Sequence, residues 1–377
     1  MPTLPSGTSM QHSVWANDVK LVPLLILGAG NVGRALVHQL LEAAPLHARR
    51  HGLAFSVVAW CDSVGAVLDE AGLEPEILRT IAEAKVAGKS LAEVAQGYRQ
   101  GDLAAVVDVA GADHCVVIDV TASDATAPAL DLALRRGYSA VAANKLPLTG
   151  DQDLFDRWVG SRRFRYESTV GSAVPVIETA QALMRAADRV DVVRGALSGT
   201  LGFLCTGLEA SEPFSSLIPE AMRRGYTEPD PRIDLSGQDV ARKALILART
   251  LGWKLDLRDV AVTSMVSPAL ADLPLSDFLA RLPELDAGFA ERAADAARAG
   301  CALRYIAELE AGRVTVGLHL VPADSALGRL RGNDNLVAFH TKYYPDEPLV
   351  LQGRGAGVDA AAAGVHADLV AVATPGT

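Results

Sequence analysis

A chain of 377 residues is long enough for two or more domains with sizeable cores. Half of it is apolar, only 5% is aromatic, and 35 Lys and Arg against 45 Asp and Glu leave a formal charge of -10. That balance, with no basic run, excludes non-specific nucleic-acid binding, and no apolar run reaches membrane-spanning length.

Residues 1–20, MPTLPSGTSMQHSVWANDVK, carry neither the apolar core of a signal peptide nor an Arg-rich amphipathic pattern. A disordered lead is therefore expected, and with it a cytoplasmic protein. Cys61, Cys115, Cys205 and Cys301 lie far apart without paired spacing, so each reads as a small buried apolar residue in a reducing compartment.

Leu21 to Leu27 is a near-continuous apolar run, the pattern of a buried parallel strand. Gly28-Ala29-Gly30-Asn31-Val32-Gly33 follows directly, before a helical stretch from Arg34 to Ala43. Strand, G-x-G-x-x-G and helix in that order is the setting of a dinucleotide turn, in which glycines let a pyrophosphate approach the helix N-terminus. Gly28, Gly30, Asn31, Val32 and Gly33 are thus expected at a cofactor.

A second strand, Ala54 to Trp60, ends at Cys61-Asp62-Ser63. Asp62 stands either to bind a ribose 2′-hydroxyl or to cap the strand end. The gap from Gly33 is longer than the usual twenty or so residues, which an extra turn from His47 to His51 accommodates. As a ribose ligand Asp62 disfavours a 2′-phosphate and tilts the choice between NAD and NADP toward NAD.

Residues 65–112 are Ala/Glu-rich and predicted mostly helical, before a third strand, His114 to Val120. Thr121-Ala122-Ser123 falls at its carboxyl end, where open α/β sheets bind ligands, so Thr121 and Ala122 join the cofactor set. A helix from Ala125 to Arg136 and a strand from Ser139 to Ala143 lead to Asn144-Lys145. Lys145, just past a buried strand at the cofactor edge, is a candidate for chemistry and for nucleotide contact; a plain surface lysine is the alternative.

Tyr166 to Pro175 reads as a strand-end turn, and a strand from Asp191 to Leu197 runs into Ser198-Gly199-Thr200, a strand-to-helix connection. From Gly225 to Pro231 two prolines forbid a continuous helix, so the segment is a shaped loop. Gly237 to Arg249 has helical apolar spacing, with Ser236 placed to cap it. Asp239 and Lys243 are then neighbours on one helix face, an arrangement that alone reads as a solvated ion pair. Glu228, Asp230, Asp234, Asp239 and Lys243 nevertheless crowd into one loop–helix unit.

Alternation around Leu303 to Leu309 and Val314 to Leu320 predicts two strands, continued by Leu336 to Tyr343 and Pro348 to Leu351. Gly353-Arg354-Gly355-Ala356-Gly357 then opens a helical stretch ending near Val372.

From Ala221 to Lys243 the pattern A-x-x-x-G-Y-T-x-x-D-P-x-x-D-L-x-G-x-D-x-x-x-K resembles the signature of homoserine dehydrogenases, with every fixed position filled. DVTAS, ANK and Ser198-Gly199-Thr200 resemble other segments of that family. Tyr166 to Pro175 is similar to its Y-E-x-T-V-G-G-G-x-P turn, with Ser172-Ala173 replacing two glycines. The last helix is similar to its G-A-G-x-x-x-T-A-x-x-V element, with Ala361 where Thr is usual. The likeness covers roughly residues 20 to 373.

The resemblance implies an α/β fold: a Rossmann-type doubly wound nucleotide-binding domain over 21–145 and an α+β catalytic and dimerisation domain with a mixed sheet over 146–340. A return segment over 341–377 would pack on the first domain. It also implies NAD(P)-dependent reduction of L-aspartate 4-semialdehyde to L-homoserine, in threonine, methionine and isoleucine biosynthesis, by a homodimer or homotetramer. Lys243 and Lys145 become candidate proton donors. Glu228, Asp234, Asp239 and Thr200 fall at the substrate and Gly355 at the cofactor. A monovalent cation, Na⁺ or K⁺, would lie near Glu167, Val170, Ser172 and Val174.

No amino-acid-sensing domain or kinase fusion is expected after Thr377, and hence no inhibition by threonine. Two other readings stay open. One is a different semialdehyde oxidoreductase, in which an acylating thiolate would fall to Cys205. The other is a non-catalytic dinucleotide-sensing protein on the same fold.

Overall fold

In the computed structural model, which describes residues 19–110 and 113–374, the first apolar run forms β1 (Lys20–Leu27), and Leu24 to Leu27 are wholly buried. The lead expected over residues 1–18 lies outside the described residues. A strand buried on both faces needs parallel neighbours under helical cover. β1 has them in β2 (Leu53–Cys61) on one edge and β5 (Val116–Asp119) on the other.

With β3 (Gly65–Leu68), β4 (Gly97–Arg99), β6 (Ser139–Ala142) and β7 (Phe164–Arg165) the sheet order is β4-β3-β2-β1-β5-β6-β7. The chain leaves β1 toward β2 and later returns to lay β5 on the opposite edge. A crevice therefore opens beyond the carboxyl ends of β1 and β5, the switch point at which such sheets take ligands.

Three local expectations are corrected. The stretch 65–112 holds helices but also β3 and β4, which pair antiparallel at the sheet edge. His47 to His51 is no separate turn; it ends a single helix, Asn31–His51, that continues through Pro45 despite the missing N–H. β7 pairs with β6, so the first sheet extends past residue 145 to Arg165.

The second sheet comprises β8 (Val190–Ala196), β9 (Val260–Val262), β10 (Cys301–Glu310), β11 (Arg313–Pro322), β12 (Asn335–Thr341) and β13 (Leu349–Gly353). Its order is β13-β12-β8-β10-β11-β9; β9 and β11 run parallel and the other pairs antiparallel, so the sheet is mixed as expected. β10 and β11 join through Ala311-Gly312, both at positive φ (48° and 78°), the two-residue turn whose twist matches its strands.

Leu303, Tyr305, Ala307 and Leu309 point from β10 into the core, where the helix Gln238–Thr250 is buried over Ala244 to Thr250. One apolar cluster runs from Leu25 and Leu27 through this helix to β10, so the two sheets share a core. Among the described residues no helix is long and apolar enough to cross a membrane.

The closing helix, Val358–Ala373, returns to the first domain and packs along Asn31–His51. Gln39 donates to Asp359 O at 3.0 Å and Lys20 to Ala373 O at 3.1 Å. Between these bonds His47 Nε2 and His366 Nε2 lie 2.6 Å apart, one donating to the other. Phe55 meets the His47 ring edge-on at 5.1 Å, His51 is 6.0 Å away, and His47 Nδ1 is buried with no partner among the described residues.

Burial first, and the neighbouring imidazole second, lower both pKa values, that of His366 to about 4. An unfolded histidine binds a proton from about pH 6.5. Between that value and about 4 the unfolded chain therefore holds more protons at these sites, and the seam's stability falls as pH drops. In melts followed by circular dichroism, His366→Leu should shrink the fall in Tm between pH 7 and pH 5 by roughly 2 °C relative to wild type. Parallel Tm curves for the two proteins would show that the pair does not carry this dependence.

Candidate active site

The crevice beyond β1 and β5 is a cleft of about 1350 Å³, and its walls come from both sheets and from the segment before the closing helix. Gly28 has φ +112°, and a Cβ there would lie 2.9 Å from the Val120 carbonyl; one on Gly33 would lie 2.1 Å from Gly28 O. Trp60 Nε1 donates to Gly28 O at 3.1 Å and fixes the turn from beneath. A Cβ on Gly30 would meet nothing within 4 Å, so that glycine keeps open space rather than packing. Gly30 is also the N-cap of Asn31–His51, with no side-chain cap, so the first N–H groups of the helix are left for an anion. These features fit a dinucleotide pyrophosphate.

Asp62 lines the same cleft, yet its carboxylate is fully engaged. Oδ1 accepts the N–H groups of Val64 and Gly65 at 2.9 and 2.8 Å; Oδ2 accepts from Leu91 N at 2.8 Å and from Lys85 Nζ at 2.6 Å. Burial opposes ionisation, but the Lys85 bond and the three N–H groups hold the carboxyl below its ordinary range. Lys85, from the helix Pro75–Val86, escaped the sequence reading because nothing in the intervening residues pairs it with Asp62.

At the end of β5 a wholly buried carboxylate, Asp119, organises the next wall. It accepts from Thr121 N and Oγ1 at 3.0 and 2.8 Å, from Thr126 Oγ1 at 2.6 Å and from Asn144 Nδ2 at 3.0 Å. Burial raises its pKa in spite of these bonds. A lone Asp closing an apolar strand was the signal that could have flagged it. Thr121 and Ala122 thus face the cleft in a fixed loop, and Asn144 delivers Lys145 beside them.

Lys145 meets the second sheet's machinery here. Its Nζ lies 3.2 Å from Asp239 Oδ1, while Lys243 Nζ lies 2.9 Å from Asp239 Oδ2 and donates to Leu197 O at 2.8 Å. Burial opposes the charge of Asp239, but Lys243 and then Lys145 hold its carboxyl far below the usual range. Both lysines line the cleft. Ser236, expected to cap this helix, accepts the Gln238 N–H at 3.2 Å, while Gly237 at φ +74° is the N-cap.

The loop before the helix is held from inside. Thr200 Oγ1 donates to Tyr226 O at 2.5 Å with Asp234 Oδ1 at 3.2 Å, and Asp234 Oδ2 accepts the Glu228 N–H at 2.9 Å. Burial raises the Asp234 pKa. Glu228 is exposed at the cleft wall, and Asp230 is held by Arg232 through a 2.9 Å bond from Nε. Cys205 is fully buried in the helix Gly199–Glu209, its thiol pushed up to about 12 by burial, which removes the acylating-thiolate alternative.

Two of the four expected cation ligands, Glu167 and Val174, already accept hydrogen bonds. Glu167 accepts the N–H groups of Ile177 and Glu178 at 2.8 and 2.7 Å, and burial raises its pKa. Val174 O takes the Val176 N–H at 2.8 Å, and a Cβ on Gly364 would sit 2.0 Å from Ser172 O. A cation at this turn would share Glu167 and Val174 O with these N–H groups. Gly355, also on the cleft wall, accepts Ser172 Oγ at 3.0 Å and leaves no room for a Cβ, which would lie 1.9 Å from Asn335 Nδ2.

The model of the homoserine dehydrogenase family matches residues 175–370, and that of the homoserine dehydrogenase NAD-binding domain matches residues 28–163. A homoserine dehydrogenase of Emericella nidulans is 34% identical over 92% of this chain and 97% of its own length. The bifunctional aspartokinase/homoserine dehydrogenase of Haemophilus influenzae is 34% identical over 95% of this chain, which spans 44% of that longer protein. Among solved structures, a putative homoserine dehydrogenase from Archaeoglobus fulgidus superposes with a TM-score of 0.75 at 26% identity, over 94% of this chain and 99% of that one.

The open space at Gly30 makes a separable prediction. Gly30→Ala meets no atom of the protein, so its Tm should match wild type, while its Cβ enters the space a pyrophosphate needs and should weaken dinucleotide affinity by about tenfold or more. Titration of cofactor fluorescence checks it; unchanged affinity would place the pyrophosphate elsewhere.

Proposed function

This chain belongs to the homoserine dehydrogenase family, and we propose that it catalyses reversible NAD(P)-dependent interconversion of L-homoserine and L-aspartate 4-semialdehyde. The observation that carries the reading is Asp239 held between Lys145 and Lys243, the two lysines that line the cleft beginning at the glycine turn. Gly28, Gly30, Gly33 and the Asn31–His51 N-terminus would hold the dinucleotide, whose nicotinamide gives or takes the hydride.

Reducing an aldehyde builds negative charge on its oxygen, which must be stabilised and then protonated. An ammonium has three N–H donors, and Lys243 uses two of them on Asp239 and Leu197 O. Its third is left for the substrate oxygen. Lys243 is accordingly the proton donor in this reading, fixed by two anchors, and Lys145, held by the far oxygen of Asp239, orients the substrate. Glu228, the exposed carboxylate of the loop, takes the substrate ammonium; Asp234 and Thr200 shape the loop that carries it.

Initial rates of homoserine oxidation, with NAD and NADP in parallel, test this directly. Lys243→Ala should cut kcat by about 10²–10⁴-fold with nucleotide affinity retained. Near-normal turnover in that variant would move the proton donor to Lys145, and no wild-type turnover would overturn the activity.

The cofactor choice rests on the pair at the ribose end. With its four acceptor positions filled, Asp62 has little capacity for a 2′-hydroxyl, while Lys85 sets a cation beside it. We infer that both NAD and NADP are accepted, Lys85 answering a 2′-phosphate that Asp62 alone would repel. Lys85→Met should lower the NADP-to-NAD ratio of kcat/KM about tenfold, the loss of one charged hydrogen bond. An unchanged ratio would remove Lys85 from cofactor choice.

A further inference from the structure

The proposed chemistry needs Lys145, on a loop of the first sheet, to stay within reach of Asp239, on a helix packed against the second. Arg249, on the last turn of that same helix, grips the loop. Its side chain is fully buried. Nη1 donates to Leu148 O at 2.9 Å and Nη2 to Gly150 O at 2.9 Å, while Nε and Nη2 donate to Leu255 O at 3.0 and 2.9 Å. The nearest carboxylate, Asp256 Oδ1, is 3.5 Å away and half-exposed, and the Phe155 ring lies 5.8 Å beneath the guanidinium.

Leu148 belongs to the tight turn Pro147–Thr149, which closes back on Lys145. The Lys145 carbonyl accepts the N–H groups of Leu148 and Thr149 at 3.1 and 3.2 Å and the Thr149 hydroxyl at 3.2 Å. A guanidinium removed from water persists where its N–H groups are matched, and its planar fork reaches several carbonyls that a point-charged ammonium cannot span. Two of the carbonyls it has chosen belong to the lysine loop. One helix thus bears the carboxylate that receives the Lys145 ammonium and, near its other end, the fork that fixes the backbone from which that lysine projects.

We infer that Arg249 is a positioning residue for Lys145: it sets the register between the loop and the Asp239–Lys243 helix on which turnover depends. This rests on the function proposed above. It also separates the loop's role from simple packing, because a misplaced Lys145 costs rate while the glycine turn, which none of the Arg249 bonds touches, keeps its nucleotide affinity.

The test substitutes Arg249→Lys, which keeps the charge and loses the fork, in wild type and in Lys145→Met. Turnover by wild type is the control for the function itself; the variants test the positioning. In wild type kcat should fall about tenfold with nucleotide affinity within about twofold, and in Lys145→Met the same change should cost less than about twofold, since its target is gone. Equal losses in both backgrounds, or an unchanged kcat, overturn the inference. Thr149→Val disturbs no buried charge and loosens the same turn from the other side, so it covers the case in which Arg249→Lys fails to fold. It should lower kcat about threefold at unchanged nucleotide affinity; wild-type kcat in Thr149→Val counts against the inference.

Discussion

One carboxylate holds together two ammonium groups that the chain delivers from different sheets. Without Asp239, Lys145 and Lys243 would repel each other across the cleft; with it, each charge has a partner within 3.2 Å. The three groups still sum to one positive charge. In the proposed reaction such a group, internally hydrogen-bonded yet net cationic, would meet the anionic oxygen already ordered. This is preorganisation in the physical sense: the reorganisation that water would undergo during reaction has been done by folding. The helix Gln238–Thr250 can hold this arrangement because its far half, Ala244 to Thr250, is buried in the core that joins the two sheets.

The return of the chain completes the cleft by the same logic of few, well-satisfied polar contacts. Ser168 Oγ donates to Ala361 O at 2.9 Å, Ser172 Oγ to Gly355 O at 3.0 Å, and Asp368 accepts the Glu167 N–H at 2.8 Å. These stitch the Tyr166–Pro175 turn to the closing helix and the segment before it. Ser172 stands at φ 55°, a left-handed conformation that glycine adopts freely and L-residues at a cost of about 1–2 kcal/mol. Its hydroxyl bond to Gly355 offsets part of that cost, which gives a physical reason why serine is tolerated where the family pattern has glycine. Ala361 makes its contribution through its carbonyl, so a missing side-chain hydroxyl there leaves the stitch intact.

What the amino-acid string revealed, and what it hid, follows from the range of the forces involved. The glycine turn was legible because strand, turn and helix are set by neighbours, and the Asp239–Lys243 pair because helical spacing alone brings them together. Asp62 was located correctly at the strand end, but its engagement was invisible: Lys85 reaches it from a helix whose placement depends on tertiary packing. β3 and β4 were hidden for a related reason. Strands of three or four residues in an Ala/Glu-rich stretch draw their stability from an edge to pair with, and composition reports only the helical preference of the separate segment. The loop–helix grip of Arg249 is likewise a long-range contact, made to carbonyls that carry no side-chain signature at all.

The overall charge poses a last problem, since a chain of formal charge -10 is proposed to take a dinucleotide that is itself anionic. At physiological ionic strength charges are screened over about 8 Å, so most surface carboxylates are silent at the cleft. What a phosphate would meet there is local: uncapped helix N–H groups at Gly30, with Lys85 along the wall. Asp62 and Asp239, the acids closest to the cleft lysines, are each engaged with one or more of them and present no free negative charge. Attraction is thus confined to the last few ångströms of approach.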